Sequence, residues 1–202
     1  MKMKIEKILV LILTMVLFGC YEPSTCSVCQ AENYELDQND TLIKLETYLD
    51  SIYLLSGAQQ VRNSNYEAYR ISSKSAFSTS LNSYIFERRE NGYFISFQEI
   101  WENNKNENPI KIINEKEFEI DELEWQHVQY LICNFGFWTE TQIKTVEALD
   151  GRIMILEGNC PAGKSSNKSS SRTVYRSSPE RQDRIGRLFD QLTIVYEHLE
   201  PY

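Results

Sequence analysis

The chain has 202 residues, of which 21 are Lys or Arg and 29 are Asp or Glu, so its formal net charge is −8. This length predicts one folded domain whose core needs no metal or disulfide for stability. The acidic balance argues against a general binder of nucleic acids or anionic lipids.

The N-terminus carries the pattern of a secretory signal. A lysine-containing stretch over residues 1–7 precedes an apolar run from Ile8 to Phe18. At ~1.5 Å per residue this run covers only about half of a ~30 Å hydrocarbon core, so it is not predicted to span a membrane. Gly19 and Cys20 follow directly, and this order resembles the lipobox-type signal peptide of bacterial lipoproteins.

The resemblance implies that residues 1–19 are a removable signal peptide and that Cys20 is the lipid-attachment residue, carrying acyl chains such as palmitate. Residues 20–39 are then an acylated flexible tether, since they show no apolar period. Tyr21 in place of Asp favours the outer membrane or the periplasmic side of the bacterial cell envelope. The alternative is a plain secretory signal or N-terminal anchor with Cys20 incidental.

Removal of residues 1–19, which hold three Lys and one Glu, leaves 18 basic and 28 acidic residues and a net charge of −10. The cysteines left beside Cys20 can oxidise outside the cytoplasm, and three pairings stay open: Cys26, Cys29, Cys133 and Cys160. Cys26 and Cys29 have the spacing of a redox pair but lie in a polar segment with no strand ahead of them, so we predict an incidental or local disulfide there.

Residues 40–202 are predicted to form a single domain that begins with a helix. Asp40 is a good N-cap, and Ser56-Gly57 ends the helical period. The period then changes to two and predicts strands at 66–73, 81–88, 93–101 and 110–118. The step Asn91-Gly92 is a hairpin signal, because both residues tolerate positive φ.

A second helix is predicted to run from Asp121, its N-cap, to Phe135, with Leu123 among its inward residues. Gly136 suits the left-handed position that follows a helix. After it, residues 151–157 read as a strand that is apolar on both faces and therefore central.

Residues 173–176 are predicted to pair with this strand as a hairpin, and a final helix follows, with Ser178 as its cap and Pro179 in its first turn. The whole order predicts an α+β fold. We expect an antiparallel sheet of about five or six strands built from hairpins, with about three helices packed on it.

The segment from Gly158 to Ser165 fits the phosphate-binding pattern G-x-x-x-x-G-K-[ST]. Such a loop must open a helix within a parallel α/β sheet, whereas a serine-rich stretch follows here and Pro161 lies inside the loop. We interpret the match as chance within a long hairpin loop, so neither a nucleotide nor another cofactor is expected.

No catalytic or metal-binding constellation is found, and the two histidines, His127 and His198, are predicted on helix surfaces. Charge is uneven: residues 160–187 hold seven basic and two acidic residues, and residues 99–126 hold nine acidic and three basic. One interpretation is solvated faces that attract each other within the fold or between copies. The other is contact with an anion or an acidic envelope partner through Lys164, Lys168, Arg172 and Arg176.

The last 80 or so residues also resemble a pattern found in uncharacterised exported bacterial proteins. It is carried by Phe137-Trp138, Leu149-Asp150-Gly151, Leu156-Glu157-Gly158, Val174-Tyr175-Arg176 and Ser178-Pro179. This resemblance implies the helix–hairpin–helix order and no activity.

The sequence therefore predicts a cell-envelope lipoprotein whose domain is a non-enzymatic binding module with an envelope protein as partner. The alternative is an enzyme or a phosphate-binding protein that uses the loop over residues 158–176.

Overall fold

The computed structural model describes residues 40–75, 77–102, 110–145, 151–161, 170–179 and 182–200. Three α-helices occur in these ranges: α1 (Asp40–Ser56), α2 (Glu122–Asn134) and α3 (Arg184–Leu199). The strands are β1 (Glu67–Ser75), β2 (Ser80–Arg89), β3 (Gly92–Trp101), β4 (Lys111–Ile120), β5 (Ile143–Thr145), β6 (Arg152–Cys160) and β7 (Ser170–Ser177). The predicted α+β class is confirmed. None of the helices in the described ranges has the length and hydropathy needed to cross a bilayer.

All seven strands belong to one sheet, in the order β4-β3-β2-β1-β6-β7-β5. Neighbours are antiparallel except β5, which is parallel to β7. The sheet is therefore mixed and larger than predicted by one strand, because β5 is only three residues long and has no readable period. β6 lies inside the sheet with buried residues on both faces, as its apolar sequence predicted.

Local signals placed the ends of α2 correctly. The Asp121 carboxylate accepts a hydrogen bond from the Glu124 amide at 2.8 Å, and the Glu124 carboxylate accepts one from the Asp121 amide at 2.7 Å. This reciprocal pair is a capping box. Gly136 has φ +71° and ends the helix in the left-handed conformation, as predicted.

The predicted start of the last helix is wrong. Asp183 is its N-cap and accepts hydrogen bonds from the Ile185 and Gly186 amides at 3.0 Å each. Ser178, the predicted cap, has φ +48° and lies before the helix. The carboxylate wins because it satisfies two orphan amides and lies close to a buried arginine, described below.

Two finer predictions are also corrected. Leu123 is 67% exposed, because Trp125 takes the core position at that end of α2 and Leu123 lies about 200° around the helix from it. The β2–β3 turn consists of Glu90 and Asn91, since Arg89 already pairs with Gly92. Gly92 has φ +155°, so glycine is needed in the first residue of β3.

The larger core lies between the sheet and the pair α2 and α3. α3 crosses the strands: Tyr196 contacts the rings of Tyr84, Phe97 and Phe118, which lie on β2, β3 and β4. Sixteen helical residues span ~24 Å, which matches the five strand spacings of ~4.8 Å between β7 and β4. One helix therefore covers most of this face.

α1 covers the opposite face, over a smaller core that includes Leu49, Ile52 and Ile155. Beneath α1 this face also carries buried polar residues, among them Arg70, Ser72 and Ser83. Both sides of the sheet carry buried polar residues: Glu67, Arg172 and Arg176 lie on the α2–α3 side, and the group beneath α1 lies on the central strands. We therefore expect a candidate functional site among the buried polar groups beneath α1.

Candidate functional site

An ion pair joins the two central strands. Arg70 on β1 lies directly opposite Glu157 on β6, so both side chains point to the α1 side of the sheet. The distance from Arg70 Nη1 to Glu157 Oε2 is 3.6 Å, and both side chains are almost completely buried. A charge pair this deep costs desolvation energy and needs further partners.

α1 and the chain after it supply those partners. The Arg70 guanidinium lies over the Tyr53 ring, 3.8 Å from its centroid, and donates to the Gln59 carbonyl. The Tyr53 hydroxyl lies 3.3 Å from Ser72 Oγ, and Ser72 Oγ lies 2.7 Å from Ser83 Oγ. A continuous polar chain therefore runs from α1 into the sheet.

Arg62, in the short 3₁₀ turn Val61–Asn63, completes the arrangement. Its guanidinium lies 3.0 Å from Glu46 Oε1 and 3.4 Å from Glu157 Oε1, and it also pairs with Asp50. Because Glu46 and Asp50 belong to α1, Arg62 ties this helix to β6. We call Glu46, Asp50, Arg62, Arg70 and Glu157 the buried ion-pair cluster.

Burial and ion pairing have opposing effects on the pKa values of the cluster. Desolvation raises the pKa of Glu157 despite the lowering effect of Arg70 and Arg62. For Arg62, burial lowers the pKa, but the hydrogen bond to Asp50 and the charges of Glu46 and Glu157 raise it more, so the pKa rises overall. The cluster combines two cations with three carboxylates, which suits structural pairing. Within the described ranges no group of three or more His, Cys, Asp or Glu residues is placed to hold a metal ion.

Arg176, a predicted contact residue, has an internal role. It is 1% exposed, its Nε lies 3.2 Å from both carboxylate oxygens of Asp183, and its Nη1 donates to the Thr141 and Tyr175 carbonyls. Burial raises the pKa of Asp183, but the Gly186 amide, Arg176 and Lys144 lower it more, and the pKa falls overall. Arg176 therefore fixes the start of α3.

Arg172 is also buried, and its guanidinium donates to the Glu140 carbonyl. The fold itself holds Arg172 and Arg176, so in this conformation neither is presented to an outside anion. The reason is that the chain over residues 140–145 covers β7. Lys164 and Lys168 lie outside the described residues, and for them the predicted anion contact stays a prediction.

Cys133, on α2, and Cys160, at the end of β6, each take part in a disulfide. Cys20, Cys26 and Cys29 lie outside the described residues, and the predictions for them stay predictions. His127 and His198 are exposed on their helices.

The phosphate-loop string begins inside the sheet. Gly158 lies opposite Tyr69 of β1, and a Cβ built on it would lie 2.5 Å from the Phe137 ring. Close packing of that ring therefore requires glycine here. Asn159 donates to the Ser64 and Tyr66 carbonyls at 2.7 and 3.0 Å. β7 then returns antiparallel to β6, which is a hairpin and not the strand–helix unit that cradles phosphate.

The strands of the two charged segments lie far apart in the sheet. β4, in the acidic segment, is one edge strand, and β7, in the basic segment, lies five strand spacings or ~24 Å away. These two strands are thus too far apart for direct pairing within one copy, whereas the ends of the two segments continue into α2 and α3 on the same face of the sheet. The acidic row of β4 consists of Glu115, Glu117 and Glu119, alternate residues on the α1 side of the sheet.

The comparisons supply no relative for this chain: no protein-family model matches it, and neither does any curated protein.

Arg70 and Glu157 were not predicted as a pair from the sequence. A signal for Glu157 was present, because a carboxylate within a strand that is apolar on both faces needs a buried cation. Its partner lies 87 residues earlier in the chain, and only the β1–β6 register brings the two together.

We predict that Arg70→Met destabilises the protein by about 3–5 kcal/mol, because Glu157 is left buried without its cross-strand partner. The double variant Arg70→Met/Glu157→Leu recovers most of this loss. Urea unfolding followed by circular dichroism measures both. The control, Arg152→Met, removes a half-exposed arginine 3.8 Å from Asp190 and costs ~0–1 kcal/mol. Equal losses for the single and double variants would contradict the pairing.

The buried carboxyl group of Glu67, on β1, makes the stability of the fold depend on pH. The carboxylate accepts hydrogen bonds from the Tyr69 hydroxyl at 2.9 Å and from Gln129 Nε2 at 3.0 Å, yet burial raises its pKa above the ordinary value. The folded state therefore binds the proton more readily, and this residue's contribution to stability falls as pH rises from about 4.5 through the folded pKa.

We predict that Glu67→Gln removes this fall, so the variant gains stability relative to the natural protein as pH rises. The measurement is the difference in unfolding free energy between the two proteins, followed from about pH 4 to about pH 8. Glu90→Gln, in the exposed β2–β3 turn, is the control and gives a smaller slope. A Glu67→Gln variant that loses relative stability with rising pH would show that the ionised carboxylate is favoured in the fold.

Proposed function

We propose that the protein is a lipid-anchored component of the bacterial cell envelope whose folded domain is a non-enzymatic binding module. The order of the apolar run, Gly19 and Cys20 supports the anchor, with the outer-membrane or periplasmic side as its location. The disulfide bonding of Cys133 and Cys160 agrees with a compartment outside the reducing cytoplasm.

The binding role rests on one observation, the open edge of β4. Within the described part of the chain, β4 pairs with β3 alone, and most of its side chains are exposed. An edge strand presents backbone N–H and C=O groups with which another strand can pair. Ile113 forms a bulge near the start of β4, which leaves residues 114–120 as a regular edge.

The acidic row determines which strand fits this edge. Gln98 Nε2 donates to Glu115 at 2.7 Å, and Arg89 donates to both oxygens of Glu117 at 3.0 and 2.6 Å. These contacts hold the Glu115 and Glu117 carboxylates over β3 and toward β2, and Arg89 already pairs the charge of Glu117, so Glu115 and Glu119 are the acidic groups of the row left to attract a partner. Opposite charges facing each other across strands contribute ~0.2–1 kcal/mol per pair. The partner we propose is therefore an extended segment with Lys or Arg at alternate positions.

A second copy of β4 fits this edge poorly. Symmetric antiparallel pairing centred on Glu117 places Glu117 opposite itself and Glu115 opposite Glu119. Centring on Lys116 instead places Lys116 opposite itself and Glu115 opposite Glu117. Like charges directly opposite each other are destabilising, so both registers are disfavoured. The row therefore discourages edge-to-edge self-association while it favours a basic strand.

We predict that Cys20→Ser abolishes incorporation of labelled palmitate in bacteria and releases the protein from the membrane fraction. Acylation needs the thiol, and without it no hydrocarbon holds the domain at the bilayer. Phosphorimaging of the immunoprecipitated protein measures the label, and Cys160→Ala serves as the control that keeps it. Undiminished label in Cys20→Ser would end the lipoprotein assignment.

We predict that the full chain binds a fluorescent peptide of alternating Lys and Thr. Glu115→Lys/Glu119→Lys weakens this binding by about tenfold or more, as expected for the loss of two cross-strand charge pairs and the new repulsion. Fluorescence anisotropy at low salt measures the affinity, which falls when salt screens the charges. Glu122→Lys/Glu197→Lys, which reverses two exposed charges on helices, is the matched control.

A second peptide separates strand pairing from charge attraction. It keeps every Lys but replaces each Thr by Pro, which cannot donate to a ladder. We expect this peptide to bind much more weakly than the first. Equal binding of the two peptides would mean that the backbone edge of β4 is not used.

A further inference from the structure

α1 carries large apolar residues on both of its faces. The inner face packs on the sheet through Leu49, Ile52 and Tyr53. On the outer face, Leu54 is 73% and Leu55 is 64% exposed. A helix that borders water on one side is normally polar there. The outer face of α1 therefore has the composition of a surface that something else covers.

The exposed positions of α1 form one continuous stripe. At 100° per residue they fall within an arc of about 140°. They are Ile43, Lys44, Thr47, Tyr48, Ser51, Leu54 and Leu55. Among the α1 side chains that the structure describes, Lys44 is the one charged member of this stripe, because Glu46 and Asp50 are turned toward Arg62.

The polar groups of the stripe already have partners within the protein. Thr47 Oγ1 donates to the Ile43 carbonyl and Ser51 Oγ to the Thr47 carbonyl, each at 2.8 Å. The Tyr48 hydroxyl donates to Glu102 at 2.7 Å. If another surface covers this stripe, Lys44 is the one described polar group of the stripe that still needs hydration. A lysine can extend its ammonium group toward water or headgroups. The desolvation cost is therefore low.

A further exposed apolar residue lies in the turn between β1 and β2. This residue, Phe77, is 82% exposed. Lys74 precedes that turn, and both Lys74 and Tyr48 bond to Glu102 Oε2, at 2.6 and 2.7 Å. The turn thus lies next to α1. We call Ile43, Tyr48, Leu54, Leu55 and Phe77 the α1 patch.

We propose that the α1 patch lies on the surface of the membrane to which Cys20 is anchored. The proposal rests on the proposed lipid anchor. Nineteen residues separate Cys20 from Asp40, the first residue of α1, and even fully extended they reach only ~60–70 Å. A tether this short holds the patch near the bilayer at a high effective concentration, so weak interfacial affinity is sufficient.

Local charge agrees with this occupant. The mature chain carries a net charge of −10, which repels an anionic bilayer. The described stripe has no carboxylate and one lysine, so its own side chains add no negative charge where it meets the bilayer. Its leucines and aromatic rings suit the interfacial depth at which amphipathic helices bind.

The test uses the acylated full-length mature protein in vesicles of phosphatidylcholine with phosphatidylglycerol. A nitroxide is attached at Ser51→Cys, in the middle of the stripe, and in a separate sample at Glu197→Cys on α3 as the control. Collisions with oxygen, which concentrates in lipid, are compared with collisions with a water-soluble nickel chelate. We expect the label at position 51 to favour oxygen by severalfold relative to the label at position 197.

The variant Leu54→Glu/Leu55→Glu reduces this oxygen preference at position 51, whereas Leu123→Glu/Ile194→Glu, which alters exposed apolar residues of α2 and α3, leaves it unchanged. Equal nickel accessibility at positions 51 and 197 would overturn the proposal. So would a label at position 51 that is shielded from both reagents in lipid-free protein, since that result means a protein covers the patch.

Mass spectrometry of the same preparation separates this proposal from the proposed function. If Cys20 carries no acyl chain, the lipoprotein assignment fails, and the patch is then tested by partition of the unacylated chain onto the same vesicles. Partition that Leu54→Glu/Leu55→Glu reduces about tenfold or more supports the patch. Partition that this variant does not change overturns it.

Discussion

The ion pair between Arg70 and Glu157 is the interaction on which the α1 side of the molecule depends. Removing two charges from water costs several kcal/mol for each ion, and their attraction offsets this only when further groups complete the environment. Here Arg70 Nε and Glu157 Oε2 are buried without a hydrogen-bond partner among the described residues, while the Tyr53 ring, the Gln59 carbonyl and Arg62 supply part of that environment. All three belong to α1 or to the chain directly after it, so displacing α1 would expose an incompletely paired buried charge.

This dependence fixes the orientation of α1 as well as its position. Arg62 contacts Glu46 and Asp50, one helical turn apart on one flank of the helix, while Tyr53 contacts Arg70 on the inner face. Rotating α1 about its axis would break all of these contacts together. The outer stripe is therefore held in a single direction. A rigid stripe loses less conformational entropy on covering than a mobile one would.

Sequence patterns predicted the features that depend on contacts between residues close in the chain. Several features that depend on how separate strands and helices pack were not predicted. Asp121 and Gly136 marked the ends of α2 because their partners lie within a few residues. At α3 the sequence pattern predicted Ser178 as the cap, whereas Asp183 caps the helix and its carboxylate also pairs with the buried Arg176 of β7.

The burial of Arg172 and Arg176 also depends on packing that the sequence pattern does not show. The basic composition of residues 160–187 predicted a solvated face or an anion contact for Arg172 and Arg176, but the short β5 strand and the chain before it cover β7, and both arginines are buried. β5 itself, three residues long and parallel, gives no period that a sequence can display. The acidic row of β4, by contrast, was visible as charge composition, and only its place on an edge strand required the fold.

The two proposed surfaces lie on the same side of the sheet, and their separation makes them compatible. The α1 helix is ~10 Å thick, so a bilayer against its outer face stands about one helix diameter above Glu115, Glu117 and Glu119. That distance is slightly more than the ~8 Å Debye length at physiological salt, so salt weakens the repulsion between the carboxylates and anionic lipid about threefold. The space between the bilayer and the acidic row of β4 has negative charge on both sides. A basic extended segment therefore fits there, and an acidic one does not.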